Sequence, residues 1–179
     1  SIAFGTEIDA DAMFVDGIRA IEPADLEAAE ELGFRIKLLG IASRAPDGID
    51  QRVHPTMVPK GSALAETSDV LNAVAFFGHA AGEIALSGAG AGGAATASAV
   101  LSDLVDLARG IDRPPLGRPA STLAPFRRAD LQGHVGAFYI RLTVADRPGA
   151  FAAIASAMGG EEISLEKIVQ RHPPGEGPA

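Results

Sequence analysis

The chain has 179 residues, 47% of them hydrophobic and 21% charged, and a net charge of −8, the balance of an ordinary globular domain or two small ones. That acidity would repel nucleic acid and anionic membrane surfaces, so neither is expected as a partner. Without cysteine there is neither a disulfide nor a thiolate zinc site, and with no membrane-spanning apolar run and no basic-then-apolar leader a cytoplasmic protein is expected.

Taken in order, residues 1–110 alternate strand-like and helix-like segments. "EPADLEAAEELG" predicts the first helix, with Pro23 in its first turn, Glu22 and Asp25 favourable at the N-terminal dipole, and Gly33 as the stop. "FRIKLLGIAS" alternates Phe34, Ile36 and Leu38 with Arg35 and Lys37, which predicts a strand. "IDQRVHPTMVP" and "VLNAVAFFG" predict two more extended segments, and "GEIALSG" a weaker fourth. "TASAVLSDLVDLAR" then predicts a helix, with Ala99, Leu101, Leu104, Val105 and Ala108 near helical spacing. Residues 111–133 are rich in proline, arginine and glycine, and predict a linker or long surface connection.

Residues 134–179 form a short patterned module. In "FYIRLTVA", Phe138, Ile140, Leu142 and Val144 share one face of a predicted strand, opposite Tyr139, Arg141 and Thr143. A helix is predicted over "DRPGAFAAIASAMGG", capped by Asp146 with Pro148 in its first turn, buried along Phe151, Ile154, Ala155 and Met158, and stopped by Gly159 and Gly160. "ISLEKIVQ" predicts a second strand, completing strand–helix–strand, and "HPPGEGPA" has a composition that does not fold.

The run "GAGAGGAATASAV", residues 88–100, bears on function. Gly88, Gly90 and Gly93 satisfy G-x-G-x-x-G, the turn that receives a dinucleotide pyrophosphate. The context fails that reading: the preceding strand is short, and after the helix "RGIDRPPLGRP" cannot be a core parallel strand carrying the required acid. Two readings remain open. The glycines at a helix N-terminus can attract phosphate or carboxylate, or they only permit a tight strand-to-helix corner. Lys60 reads as a solvated lysine after a proline turn, with a general acid/base role as the alternative. His54 reads as a packing or strand-edge histidine, and His79, His134 and His172 show no metal-type spacing.

"SGAGAGGAATASAVLSDLVDLAR" resembles the segment closing the catalytic region of homoserine dehydrogenases. The resemblance extends back through "NAVAFFGHAAG" and "IASRAPDGIDQRVHPTMVPKGSALAE" to "SIAFGTEIDADAMFVDGI". Ala95 stands where the family has proline before the threonine. The resemblance implies NAD or NADP as cofactor, with Gly90, Gly92 and Thr96 contacting its nicotinamide end, homoserine as substrate, and a homo-oligomer. It also implies that the nucleotide-binding domain, the catalytic lysine and the acids that bind homoserine precede Ser1. The expectation is that the chain is a portion of a longer enzyme, inactive alone, with no catalytic residue among its own.

Asp146–Gly149, D-R-P-G between strand and helix, resembles the start of an ACT domain, the ferredoxin-like amino-acid sensor often linked to threonine control in this family. The resemblance implies an effector site at Asp146, Pro148, Gly149, Ile163 and Ser164. The expected fold is therefore α+β: a mixed sheet with helices on one face over residues 1–110, a linker over 111–133, and a partial ACT-like βαβ unit over 134–179. The competing reading is a non-catalytic amino-acid-binding regulatory module.

Overall fold

The computed structural model describes residues 1–129, 136–145 and 147–171. Its elements are β1 (Phe14–Val15), α1 (Pro23–Leu32), β2 (Phe34–Arg44), β3 (Ile49–Pro59), α2 (Ala63–Glu66), β4 (Leu71–Gly78), β5 (Gly82–Ala89), α3 (Gly93–Ala108) and α4 (Ala150–Gly160). The order is that of a mixed α/β chain, with a mixed sheet and helices.

Helix α1 forms where its terminal signals lie. The Asp25 carboxylate accepts the Glu22 backbone N–H at 2.8 Å, and Gly33 takes the left-handed conformation, φ 86°, that ends the helix. Ala28 and Ala29 are its buried apolar residues.

The larger sheet runs β1-β3-β2, with β3 parallel to β1 and antiparallel to β2. Ala45–Gly48 joins β2 to β3 through the Ala45 N–H donating to the Gly48 carbonyl at 2.9 Å. In β3 the carbonyl of Val53 accepts from Asp16 at 2.8 Å, so residues of Val53's parity aim their backbone groups at β1. Pro55 has that parity. Its missing N–H costs β2 no bond, and β1 stops just short of it. The short helix α2 is capped by Ser62, whose Oγ accepts from Ala65 at 3.3 Å, and buries Ala65.

The same edge of β3 receives the segment expected as a linker. Ile49 donates to the Arg127 carbonyl at 2.8 Å and accepts from Ala129 at 3.1 Å. Further back, Ala124 donates to the Gly5 carbonyl at 2.9 Å and accepts from Glu7 at 2.8 Å. Gly48 is required there, because a Cβ would lie 2.5 Å from the Arg127 carbonyl oxygen and 2.9 Å from the Ala129 nitrogen.

Strands β4 and β5 form a separate two-stranded antiparallel sheet, paired from Leu71↔Ala89 to Gly78↔Gly82. Val74, Phe76, Ile84 and Leu86 lie on one face of this hairpin, all exposed. The stripe of α3 is exposed too, at Leu101, Leu104 and Val105.

The module after the linker departs from expectation. Helix α4 is present, but its N-cap is Gly149 (φ 85°), so Pro148 precedes the helix rather than sitting in its first turn; Asp146 lies outside the described residues. Gly159 and Gly160 are the last residues of α4, and the chain turns beyond them at Glu162, φ 57°. Among the described residues, neither "FYIRLTVA" nor "ISLEKIVQ" belongs to a ladder. The physical reason lies in the topology expected of them. In the split βαβ arrangement expected of them the two strands are not neighbours, so neither can pair with the other directly.

What these segments meet instead is α1. Tyr139 and Arg141 reach Asp25 and Glu22, while Lys167 donates to the Leu32 carbonyl at 3.0 Å and Arg171 bridges Glu27 and Glu31 at 2.7 and 2.6 Å. The polar face of "FYIRLTVA" is thus the docked one, and Ile140, Leu142 and Val144 are exposed. The apolar stripe expected to be buried on α4 is likewise open at Phe151.

Candidate functional site

The glycine run sits where β5 hands over to α3. The Gly90 N–H donates to the Val70 carbonyl at 2.9 Å, which ties the turn to the residue before β4. Gly92, at φ 112° and ψ 144°, then swings the chain into α3, a conformation open essentially to glycine alone. Thr96 closes the first turn of α3: its N–H and its hydroxyl both donate to the Gly92 carbonyl, each at 3.1 Å. The Thr96 hydroxyl is therefore held within the helix.

Asn72 completes the site. It lies directly opposite Gly88 in the β4–β5 register, and its carboxamide occupies the space that a Cβ on Gly90 would fill, with Oδ1 3.0 Å from that position. No Cβ at 90 is compatible with Asn72 as it stands. At Gly92 a Cβ would meet nothing within 4 Å, so glycine is needed there for its backbone angle alone. Gly90, Gly92 and Thr96 are brought together in one exposed strand-to-helix turn, in which Asn72 covers Gly90 and the backbone at Gly92 is open to a close approach. Sequence reasoning missed Asn72. The signal was its place near the start of the strand that pairs with the glycines.

The remaining candidates fall elsewhere. Lys60 forms an ion pair with Glu30, tying the end of β3 to α1, and its backbone N–H donates to the Gly33 carbonyl at 3.1 Å. It is a surface strut, paired with Glu30 rather than solvated alone. His54 is half-buried on β3, with Nδ1 2.9 Å from the Pro55 carbonyl oxygen and 3.3 Å from the Thr56 hydroxyl. His79 is exposed at the tip of the β4–β5 hairpin, and His134 and His172 lie outside the described residues. Among the described residues no group of His, Asp and Glu could hold a metal ion, and no helix is long and apolar enough to cross a membrane.

Of the expected effector residues, Pro148 and Gly149 precede α4, while Ile163 and Ser164 follow it. The Ile163 N–H donates to the Met158 carbonyl at 2.9 Å, which folds the chain back at the end of the helix. The two pairs thus lie at the two ends of α4. A concavity of about 380 Å³ lies among Ser1, Phe4, Ile8, Ile49, Leu116 and Phe126 and is mostly apolar.

Away from the glycine turn, several polar contacts converge on Asp25. This carboxylate is 4% exposed and receives the Tyr139 hydroxyl at 3.0 Å and Arg141 Nε at 2.8 Å on Oδ1. Burial, then the hydrogen bond to Asp25 and its negative charge, push the Tyr139 phenol above its ordinary value. Arg141 is raised too, chiefly by its hydrogen bond to Glu22.

Residues 1–105 match the family model described as homoserine dehydrogenase. The homoserine dehydrogenase of Helicobacter pylori is 39% identical over 172 residues, covering 96% of this chain and 40% of that protein. That of Mycobacterium leprae is 39% identical over 175 residues, covering 95% and 40%. A crystal structure of a homoserine dehydrogenase from Thiobacillus denitrificans superposes with a TM-score of 0.76 at 37% identity, covering 95% of this chain and 41% of that one. The chain spans about 40% of the length of the curated relatives it matches.

Proposed function

The chain belongs to the homoserine dehydrogenase family, and from that membership we propose that it forms part of an NAD(P)-dependent enzyme interconverting L-homoserine and L-aspartate 4-semialdehyde. On this reading it serves the biosynthesis of threonine and methionine, in the cytoplasm. The observation that carries the reading is the turn from Gly88 to Gly93. Asn72 fills the notch at Gly90, and at Gly92, where an added Cβ would meet nothing within 4 Å, main chain is left facing whatever docks on it.

That surface fits the nicotinamide end of the cofactor rather than its pyrophosphate. Gly92 lends close-approaching backbone, Gly90 leads the chain to it against Asn72, and Thr96 fixes the first turn of α3 behind them. A nicotinamide bound there would supply the acceptor for the hydride from the hydroxyl-bearing carbon of homoserine, the hydroxyl proton going to a base. The nucleotide cradle, the proton-transfer lysine and the acids that bind homoserine are assigned to other parts of the enzyme.

The exposed surface supports a role inside a larger assembly. The chain has 13718 Å² of accessible surface, against roughly 8,100 Å² for a compact monomer of its mass. The open apolar faces of β4–β5 and α3 account for part of the excess, and we assign them to contacts with the rest of the enzyme and with a second copy. Residues 134–179 are read as half of an ACT-type unit; an effector such as threonine would be met by Asp146, Pro148 and Gly149, which precede α4, and Ile163 and Ser164, at its other end, would join that site only from a second copy.

The test is a pair of assays. Joined to a nucleotide-binding domain, the chain is expected to reduce NAD or NADP in the presence of L-homoserine; alone, it is expected to reduce neither. Turnover by the isolated chain would overturn the division of labour, and absence of turnover by the joined, folded protein would overturn the activity.

A further inference from the structure

We propose that Asn72 is a positioning residue of this dehydrogenase, acting as a wedge that sets the shape in which the Gly88–Gly93 turn meets the cofactor. The inference rests on the cofactor reading of that turn. It adds a residue outside the glycine motif, on a different strand.

Three observations carry it. The first is location: Asn72 faces Gly88 across the β4–β5 ladder, two residues from the tether that joins Gly90 to Val70. The second is fit. The carboxamide fills the volume a Cβ on Gly90 would need, so side chain and glycine form one matched pair. The third is chemistry. Its face of the hairpin is otherwise Val74, Phe76, Ile84 and Leu86 with glycines, so Asn72 is the one polar side chain there. Among the described residues its carboxamide is in no hydrogen bond, and Gly90 is what its amide end lies against.

A wedge of this kind acts through backbone. Beyond Gly90 the chain has two residues in which to reach Gly92 and enter α3. Removing the carboxamide frees Gly90 to sink toward β4 and draws Gly92 with it. A displacement of an ångström at a cofactor-facing turn is enough to change binding or reaction geometry substantially.

The experiment uses the enzyme comprising this chain and its nucleotide-binding domain. Steady-state kinetics are measured with cofactor and homoserine varied separately, for the parent, Asn72→Ala and Asn72→Leu. Leucine keeps the branched heavy-atom skeleton of asparagine, somewhat bulkier, without its polar atoms. Asn72→Ala is expected to raise the KM for cofactor by about tenfold, leaving the KM for homoserine near that of the parent. Asn72→Leu is expected to restore the cofactor KM to within about twofold, because shape and not hydrogen bonding is the cause. An unchanged cofactor KM in Asn72→Ala, with the parent active, overturns the proposal alone. Equal impairment of both variants also overturns it, since the carboxamide would then be a direct contact. A parent that shows no homoserine-dependent reduction fails the dehydrogenase reading, and the inference falls with it.

Discussion

The Tyr139 hydroxyl donates to Asp25 Oδ1 at 3.0 Å, joining residues 114 apart in the sequence. Asp25 also accepts the Glu22 N–H at 2.8 Å on its other oxygen, so one carboxylate both starts α1 and anchors the module after the linker. Asp25→Ala removes the cap and leaves the Tyr139 hydroxyl without its acceptor. A loss of about 2–3 kcal/mol is expected, and Tyr139→Phe should cost about 1 kcal/mol. Urea unfolding of the two variants checks both figures, and equal midpoints would show that the contact contributes nothing.

Tyr139 is the only tyrosine and there is no tryptophan, so phenolate absorbance reads this one group. Its folded pKa is raised above the ordinary 10.0, by burial first and then by Asp25. The sign follows from linkage. The folded state holds this proton more tightly than the unfolded, so the contribution is complete below the unfolded value and is lost as pH rises through the folded one. The absorbance titration should therefore have a midpoint above 10 in the native protein and fall back to the ordinary value in denaturant. In Asp25→Asn the native midpoint should drop.

Gly48 tests whether residues 127–129 are packed rather than loosely attached. An alanine Cβ would lie 2.5 Å from the Arg127 carbonyl oxygen, backbone that can yield only by leaving β3. Gly48→Ala should cost roughly 1–3 kcal/mol and accelerate amide exchange at Ile49 and Ala129. Unchanged exchange at both would contradict the pairing.

Gly92→Ala should strain the turn without touching any neighbour, at a cost of about 1–3 kcal/mol. If the turn faces cofactor, cofactor binding by the assembled enzyme should weaken beyond what the stability loss explains. A purely structural corner predicts a lower melting temperature with the cofactor KM unchanged.

What the sequence showed of this protein was its local signals. Pro23, Asp25 and Gly33 bound α1, the alternation of Phe34, Ile36 and Leu38 marks β2, and Gly93–Ala108 forms the helix expected after the glycines. These depend on neighbours in the chain. The pairing of β3 with Arg127–Ala129 was not legible, because proline and arginine at 111–133 specify no partner. Nor was the docking of Tyr139 and Arg141 on α1, which reverses the face an isolated alternating pattern would bury. The β pattern at 138–144 anticipates a strand partner that the described residues do not contain. At the site, the glycines stood out by composition, whereas Asn72 stands out only once the β4–β5 register sets it against Gly90.

The most direct test of the central claim follows the hydride itself. The chain, joined to its nucleotide-binding domain, is given NAD or NADP and L-homoserine deuterated on the hydroxyl-bearing carbon, and the recovered cofactor is weighed by mass spectrometry. The account predicts one deuterium in each reduced nicotinamide, with aspartate semialdehyde formed in equal amount. Reduced cofactor without the label, or none at all from a folded protein, would contradict it.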